Sequence, residues 1–552
     1  SYTVGHIKVY DREARDAYLR GGKSILDDEN LVMDVRLKKK YSYGFIGSAD
    51  GGYGTGERYA GKIFGLGYRD GLRLSAFANL NNIKDTSSAG SGGEWGAGWG
   101  QDGELTLKMG GADYLWTHRD LRLSGNVTLT GENADVISKQ STVAFYDTGD
   151  LYGRLSSQQR ERKLHLMSDH SFTWSGKNVY LQIDPSVDYL KNDYRMESRQ
   201  AIFTAPIVEN YLGEALDSLF GAETGRFTSH LLNRTRGYKN GRNDWIIARV
   251  KTTTVIKIPG LLDHVRIHVG GDYRHDRDDN ASEISQLFGT ASVKGWKSLL
   301  TDQEQGYTSE EWNLNTDVSY QWRNRPYSET DYLETVAEPK VAYSHSSLSH
   351  DNLLFRLQEE TAGETAPPLQ RLRGRLPLDL DNTYHSRLLR DDYSPSFSFQ
   401  FAYAPGYNSA TQHQYVVKVS VTDHITGERL HYRKAMCDTL ISRVKNTLRP
   451  YMELGYARIT SGGSTEIVAR YSFSQNTPSI LYNLDTYSNP DPTNVYLNNP
   501  GLKTSHTHSG GITLNRIWNT THRSLDASIQ YNRTDRAVAQ ARSYDMGTGV
   551  SI

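Results

Sequence analysis

Residues 311–323 alternate between apolar and polar side chains with a period of two, and this pattern constrains the fold more than any other feature of the chain. One set comprises Trp312, Leu314, Thr316, Val318, Tyr320 and Trp322, and the other comprises Glu311, Asn313, Asn315, Asp317, Ser319, Gln321 and Arg323. A period of two places the two sets on opposite faces of a β-strand. The two tryptophans are separated by about 33 Å along such a strand, or about 25 Å of height at a tilt of about 40°. This height matches the apolar band of a transmembrane barrel, which aromatic girdles border on both sides.

The same alternation recurs in other segments that are long enough to cross a bilayer at a slant. It is present in residues 72–80, 121–130, 246–258, 265–273 and 525–532. The pair Pro259-Gly260 lies between two of these segments and predicts a hairpin with a tight turn. Charged residues occupy the polar face in several strands, and the dry core of a two-sheet sandwich could not bury them. We therefore predict an all-β fold, a large antiparallel transmembrane β-barrel with a wet or plugged interior. At about 25 residues for each strand and its connection, the length suggests about 20 strands.

Composition is compatible with such a barrel. Only 37% of the residues are hydrophobic, yet there are 36 tyrosines and 50 glycines, as expected when half of each strand faces water. No run of 18 or more apolar residues exists in the sequence, which excludes a helical membrane protein. The net charge of −1 gives no broad basic field, so no nucleic-acid partner is predicted. The single cysteine, Cys437, excludes an intramolecular disulfide framework and a multi-cysteine zinc site.

Connections between the predicted strands are of two kinds. Residues 68–71 and 259–260 form predicted tight turns, whereas residues 81–100, 346–395 and 475–500 are predicted to be long, irregular loops. Outer-membrane barrels place short turns on one side of the membrane and long loops on the other. The sequence therefore predicts short turns at one end of this barrel and long loops at the other.

One helix is predicted within the loops. Apolar residues recur at the spacing of a single helical face, at Leu212, Ala215, Leu216, Leu219 and Phe220. We interpret this segment as a helix that packs on the rim of the sheet rather than as a functional element.

Signals for a ligand site are weak. His506 and His508 would lie on one face of a strand and could share a metal, but two ligands do not make a site, so we favour polar decoration. Trp95 and Trp99 could stack on a sugar or an aromatic ligand, or could anchor their glycine-rich loop at the rim, which we favour. Residues 272–279 lack the glycine and terminal glutamate of a calcium loop and are interpreted as a solvated loop tip. No spacing marks out a Ser/His pair, so no enzyme and no cofactor are predicted.

Three stretches carry a family resemblance. They are residues 9–59, residues 72–86 with Asn79-Leu80-Asn81-Asn82-Ile83-Lys84-Asp85, and residues 498–503 with Asn498-Asn499-Pro500-Gly501-Leu502-Lys503. The first stretch resembles the junction between the plug and the first barrel strands of TonB-dependent receptor-like proteins of Bacteroidetes. The last resembles the Asn-Pro-x-Leu-Lys loop of such barrels. The resemblance implies a plugged barrel of about 22 strands that imports a scarce nutrient, powered by the inner-membrane TonB complex.

The resemblance also implies a domain organisation and partners. Residues 1–40 would be the C-terminal part of a plug domain, and residues 41–552 the barrel. The rest of the plug and its TonB-contacting segment would precede Ser1, and the chain stops at Ile552 without a final aromatic strand, so we expect both ends to be clipped. Expected partners are outer-membrane lipid of a Gram-negative bacterium, the TonB complex through a segment outside this chain, and a surface lipoprotein or other envelope subunits.

Three functional classes remain open at this point. An energised importer is favoured, because the plug-to-barrel junction is the most specific resemblance. A structural or assembly component of an outer-membrane complex comes second, and a passive porin comes third. Importers of siderophores, haem, metal chelates, peptides and glycans share such barrel walls and differ in their loops, so the substrate is not distinguished.

Overall fold

The computed structural model describes residues 4–11, 19, 31–37, 43–96, 98, 100, 103–146, 149–221, 227–290, 293–326, 328–359, 377–407, 409–435, 437–484, 487–491, 494–497, 499–539, 544–545 and 550–551. Two strands, β1 (Val4–Asp11) and β2 (Leu31–Leu37), form a separate antiparallel hairpin. The strands of the main sheet are β3 (Gly44–Gly54), β4 (Arg58–Arg69), β5 (Leu72–Asn81), β6 (Glu104–His118), β7 (Leu121–Ala144), β8 (Leu151–Ser175), β9 (Val179–Phe203), β10 (Leu231–Lys257), β11 (His264–Thr290), β12 (Val293–Asn324), β13 (Tyr332–Glu359), β14 (Tyr384–Ala404), β15 (Thr411–Lys434), β16 (Cys437–Thr460), β17 (Gly463–Asn476), β20 (Ser505–Trp518) and β21 (Arg523–Asp535). The remaining strands, β18 (Tyr487–Asp491), β19 (Asn494–Leu497), β22 (Tyr544–Asp545) and β23 (Val550–Ser551), form a small four-stranded sheet.

The main sheet contains 17 strands, and each strand pairs antiparallel with the next one along the sheet. The order of the strands places β21 beside β3, although no residue pairing is described between these two strands. Almost every residue of both strands is exposed. The prediction of an all-β, antiparallel fold is confirmed. The number of strands is lower than the predicted range because several strands are very long, up to the 32 residues of β12.

Connections of the main sheet differ between its two ends. At one end they span residues 70–71, 119–120, 176–178, 258–263, 325–331, 405–410, 461–462 and 519–522. At the other end they span residues 55–57, 82–103, 145–150, 204–230, 291–292, 360–383, 435–436 and 477–504. We call these the short-connection end and the long-connection end. The predicted turns after Arg69 and Lys257 are present at the short-connection end, and long connections follow β5 and β17 at the other end. Three connections at the long-connection end, 55–57, 291–292 and 435–436, are nevertheless short, so the predicted separation of short turns from long loops holds only in part.

One side of the main sheet, the apolar face, carries Trp312, Leu314, Val318, Tyr320 and Trp322, and we call the opposite side the polar face. Residues that pair directly across antiparallel strands share a side. Trp312 pairs with Tyr273, and Val318 pairs with Ile267 and Val341, so the apolar face continues across strands. Trp312 and Val318 are 44% and 47% exposed, so no second layer of described residues covers them. A sandwich core is therefore excluded for this strand.

Substituting Val318 tests whether the apolar face contacts lipid. If this face contacts lipid, Val318→Arg is expected to lower the free energy of unfolding by about 2–4 kcal/mol, because an arginine within the apolar part of a bilayer is costly. Asn315→Arg, at an exposed position on the polar face of the same strand, is the control, with an expected change within about 0.5 kcal/mol. Urea unfolding of the protein in lipid vesicles measures both. Equal losses from the two variants would contradict lipid contact.

The polar face holds ion pairs between neighbouring strands. Glu453 lies 3.2 Å from the Lys418 ammonium and 2.8 Å from the Arg470 guanidinium. Glu428 lies 2.9 Å from the Lys445 ammonium. Opposite charges therefore neutralise one another across the strands, and the prediction that this face carries charges in strand after strand is confirmed.

A buried network occupies the polar face at the short-connection end. The Glu334 carboxylate is fully buried, lies 3.4 Å from Arg323 Nε and 2.9 Å from Arg325 Nη2, and accepts a hydrogen bond of 2.5 Å from the Tyr332 hydroxyl. Asp263, also buried, accepts a hydrogen bond of 3.1 Å from the backbone N–H of Arg323. Charges buried this completely are tolerated only when they are paired.

The predicted helix is present as α1 (Glu214–Phe220). Ala215, Leu216 and Leu219 are buried against Ala201 and Phe203 at the end of β9. The interpretation of a loop helix packed on the rim is confirmed. Among the described residues, no helix is long and apolar enough to cross a membrane.

The predicted loop 346–395 is largely wrong. Strand β13 continues to Glu359 and β14 begins at Tyr384, so only residues 360–383 connect them. Beyond the apolar face, many residues of these strands are polar, and the apolar ones fall at adjacent positions, as in Leu353-Leu354-Phe355 and Leu388-Leu389. Backbone pairing with the neighbouring strands holds these segments extended. Alternation in hydropathy is therefore lost where the strands continue.

The interpretation of residues 272–279 as a loop tip is also wrong, because they lie within β11. Charges of opposite sign recur at every second position, so each face carries its own pair. Arg274 donates a hydrogen bond of 2.6 Å to Asp276, and Arg277 donates one of 2.7 Å to Asp279. These pairs allow a highly charged segment to remain a strand.

Candidate functional site

A cavity of about 680 Å³ opens on the polar face near the short-connection end. Its lining includes Tyr180, Gln182, Asp184, Thr253, Arg266 and His268. Strands β9, β10 and β11 position these side chains, because every second residue of a strand points to the same side. The cavity thus presents fixed hydroxyl, amide, carboxylate and guanidinium groups, which suit a polar ligand or a polar polypeptide segment.

Hydrogen bonds fix the orientation of the lining side chains. The Tyr180 hydroxyl donates to Gln182 Oε1 at 2.6 Å, and Gln182 Nε2 donates to Asp184 Oδ2 at 2.7 Å. Thr253 Oγ1 lies 2.9 Å from His268 Nδ1. The lining is therefore ordered by contacts within and between strands.

Leu19 packs at the edge of this cavity. It is fully buried and forms a cluster with Tyr180 and Val255, which pair directly with each other across β9 and β10. Ile256 belongs to the apolar face, so the preceding residue, Val255, points to the polar face. Tyr180 pairs with Val255 and therefore lies on the polar face as well. A residue of the N-terminal segment therefore contacts the polar face at the short-connection end.

Trp95 lies in the 82–103 connection, which folds onto the polar face of β4 and β5. Its ring meets Phe77 edge-on with centroids 6.0 Å apart, and the Lys62 ammonium lies 5.0 Å from its ring centroid. These contacts fit the preferred interpretation of an anchor for the loop. Trp99 lies outside the described residues.

Two buried asparagines hold the same connection in place. Asn79 donates a hydrogen bond of 2.8 Å to the Ser87 carbonyl, and Asn81 donates one of 2.7 Å to the Asp85 carbonyl. The Asp85 carboxylate lies 2.5 Å from the Lys62 ammonium. Burial alone would raise the pKa of Asp85, but hydrogen bonds from Lys62 and Ser87 lower it, and the net shift is downward. The asparagine-rich segment singled out in the sequence therefore fixes a long connection against the polar face.

His506 and His508 both lie on the apolar face of β20, next to aromatic residues. His508 Nδ1 lies 3.0 Å from the Tyr471 hydroxyl, and its ring centroid lies 4.9 Å from that of Phe473. The ring centroids of His506 and Phe473 are 5.9 Å apart. In the described part of the chain, no three His, Cys, Asp or Glu side chains are grouped closely enough to hold a metal.

The cavity residues were missed by the sequence analysis. Tyr180, Gln182 and Asp184 alternate with Leu181 and Ile183, so the period of two is visible in the sequence. Their convergence with β10 and β11, however, depends on the register between strands. Comparison with protein-family models and with curated proteins gave no match for this chain.

Proposed function

We propose that this chain forms the barrel of an outer-membrane TonB-dependent importer of a scarce nutrient. In this proposal β21 and β3 close the sheet, the apolar face contacts lipid, and the polar face lines the interior. Residues 1–40 belong to a plug that fills this interior.

The contact of Leu19 with the polar face carries the proposal. A closed barrel of 16 or more strands encloses an aqueous channel unless something plugs it. A fully buried leucine from the N-terminal segment on that face is expected of a plug and is not required in an open porin. The inward-folded 82–103 connection, pinned by Asn79 and Asn81, narrows the interior further.

The two kinds of connection supply an orientation. Outer-membrane barrels have short periplasmic turns and longer extracellular loops. The short-connection end, with Leu19 and the cavity beside Tyr180, would then face the periplasm. This is the end at which the inner-membrane TonB complex would act on the plug.

The proposed substrate is polar and too large or too scarce for passive diffusion. The paired charges of the polar face offer hydrogen-bond donors and acceptors rather than an apolar pocket. Siderophores, haem, metal chelates, peptides and glycans are the classes considered. The proposed partner at the long-connection end is a surface lipoprotein or another envelope subunit.

An uptake experiment tests the proposal. A strain lacking the chain is compared with the complemented strain on a panel of limiting nutrients from these classes, with and without a protonophore. We expect one nutrient to require the chain, and its uptake to stop when the protonophore removes the inner-membrane proton gradient. Uptake that persists without the gradient would indicate a porin, and unchanged uptake of every nutrient would favour a structural role.

A further inference from the structure

Four neighbouring strands, β6 to β9, form a cleft of about 390 Å³ on the side of the sheet that carries the apolar face. Two adjacent rows of directly paired residues build it. The first row is Lys108, Gly131, Leu164 and Lys191, and the second is Thr106, Asn133, Arg162 and Asp193. The cleft therefore follows from strand register, since residues far apart in sequence are brought opposite one another.

The cleft lies just beyond the apolar face, toward the long-connection end. Trp312 pairs with Tyr273, Tyr273 with Ala248 and Ala248 with Val187, so these four residues form one row across the sheet. The next row on β9 contains Tyr189, and the row after it contains Lys191. Leu129 and Leu166 share the row of Tyr189. Apolar side chains thus lie next to the cations of the cleft, on the side toward the short-connection end.

Three cations of the cleft are not in salt bridges with any described residue: Lys108, Arg162 and Lys191. Other cations nearby are paired, since Arg242 lies 2.8 Å from Asp193 and Arg160 lies 2.8 Å from Asp135. Two further carboxylates lie nearby: Asp244 is opposite Lys191 in β10, and Glu132, which also lines the cleft, is opposite Lys163 in β8. Cations therefore exceed carboxylates in and around the cleft.

We propose that this cleft binds the phosphate group of an anionic lipid headgroup in the outer leaflet. Lys108 and Arg162 are exposed and Lys191 is half-buried, so all three cations are accessible to a phosphate group just beyond the apolar face. Gly131 forms the floor, where an added Cβ would meet only a backbone oxygen of Lys108, at 3.7 Å. Acyl chains of the same lipid would lie along Leu129 and Leu166. The inference rests on the proposed outer-membrane location but is independent of import.

The chemistry of the cations suits a phosphomonoester. Arginine forms paired hydrogen bonds with two phosphate oxygens, and lysine supplies a compact charge. Each Lys or Arg near an anionic membrane surface strengthens binding about fivefold. Three such residues together are therefore expected to strengthen it about a hundredfold.

Lipid binding by the full chain in detergent, followed by native mass spectrometry, tests the inference. The probes are diphosphorylated lipid A, the same lipid without its phosphates, and inorganic phosphate. We expect the wild-type chain to bind the phosphorylated lipid, and a variant with Lys108→Gln, Arg162→Gln and Lys191→Gln to bind it about a hundredfold more weakly. A control variant with Arg387→Gln, Arg429→Gln and Arg433→Gln loses the same charge on the same side of the sheet, outside the cleft, and should bind normally.

Three outcomes would overturn the inference. They are equal binding of the phosphate-free lipid, an unchanged affinity in the Lys108, Arg162 and Lys191 variant, and inorganic phosphate that competes as strongly as the lipid. Folding of each variant is checked by its resistance to urea. Failure of the proposed function is seen separately, because nutrient uptake and recovery of the chain with outer membranes do not depend on this cleft.

Discussion

Glu334→Gln is expected to lower the free energy of unfolding by about 3–5 kcal/mol, because it removes one partner from a buried ion cluster. The Arg323 side chain is only 3% exposed and lies 3.4 Å from the Glu334 carboxylate, and Arg325 lies 2.9 Å from it. Glutamine keeps the shape of the side chain but not its charge, so both guanidinium groups lose a compensating anion. Urea unfolding of the protein in lipid vesicles measures the loss.

An exposed ion pair on the same sheet is the control. Glu104 lies 3.5 Å from Arg58, and the two side chains are 78% and 46% exposed. Glu104→Gln is expected to cost less than about 1 kcal/mol, since water screens exposed pairs. Equal losses in the two variants would mean that burial of Glu334 does not determine its contribution to stability.

Alternation along single strands predicted much of the fold. The register of β12 with β11 and β13 places Val318 beside Ile267 and Val341, as its own alternation leads one to expect. A shift of one residue would exchange the two faces. Turns of the short-connection end were also visible, since turn residues such as Pro259-Gly260 act locally. These features depend on residues close together in sequence.

Strand segments beyond the apolar face were not predictable in the same way. In β13 and β14 apolar residues fall at adjacent positions, as in Leu353-Leu354 and Leu388-Leu389, so the alternation from which the strands were recognised ends before the strands do. In β11 the ion pair between Arg277 and Asp279 stabilises a segment whose composition is typical of a loop. Backbone pairing with a neighbouring strand determines these structures, and a single sequence does not display it.

Candidate site residues were even harder to predict from the sequence than the ends of the strands. Trp95 and the two histidines were conspicuous by residue type, and the structure surrounds them with side chains of their own sheet. The cavity beside Tyr180, by contrast, unites β9, β10 and β11, and Leu19 reaches it from more than a hundred residues away in sequence. Such contacts depend on strand register across the sheet and could not be read from local patterns.

Removing all residues up to 42 is expected to make the outer membrane leaky to bulky hydrophilic molecules. If the N-terminal segment plugs the interior, its loss leaves a wide water-filled barrel like that of a porin. We expect the inhibitory concentration of a large hydrophilic antibiotic to fall on the order of tenfold relative to cells with equal amounts of the intact chain. A chain that is present in the outer membrane without this leak would contradict the plug assignment.

A point substitution separates the Leu19 contact from the presence of the whole segment. Leu19→Asp places a carboxylate against Tyr180 and Val255, where it would be buried without a described partner, so the segment should detach at this point. The leak should then be smaller than after deletion but measurable. Leu261→Asp, at a position that is 53% exposed in the 258–263 connection, is the matched control and should leave permeability unchanged. If Leu19→Asp also left permeability unchanged while the deletion opened the channel, the plug would be held by contacts other than the one at Leu19.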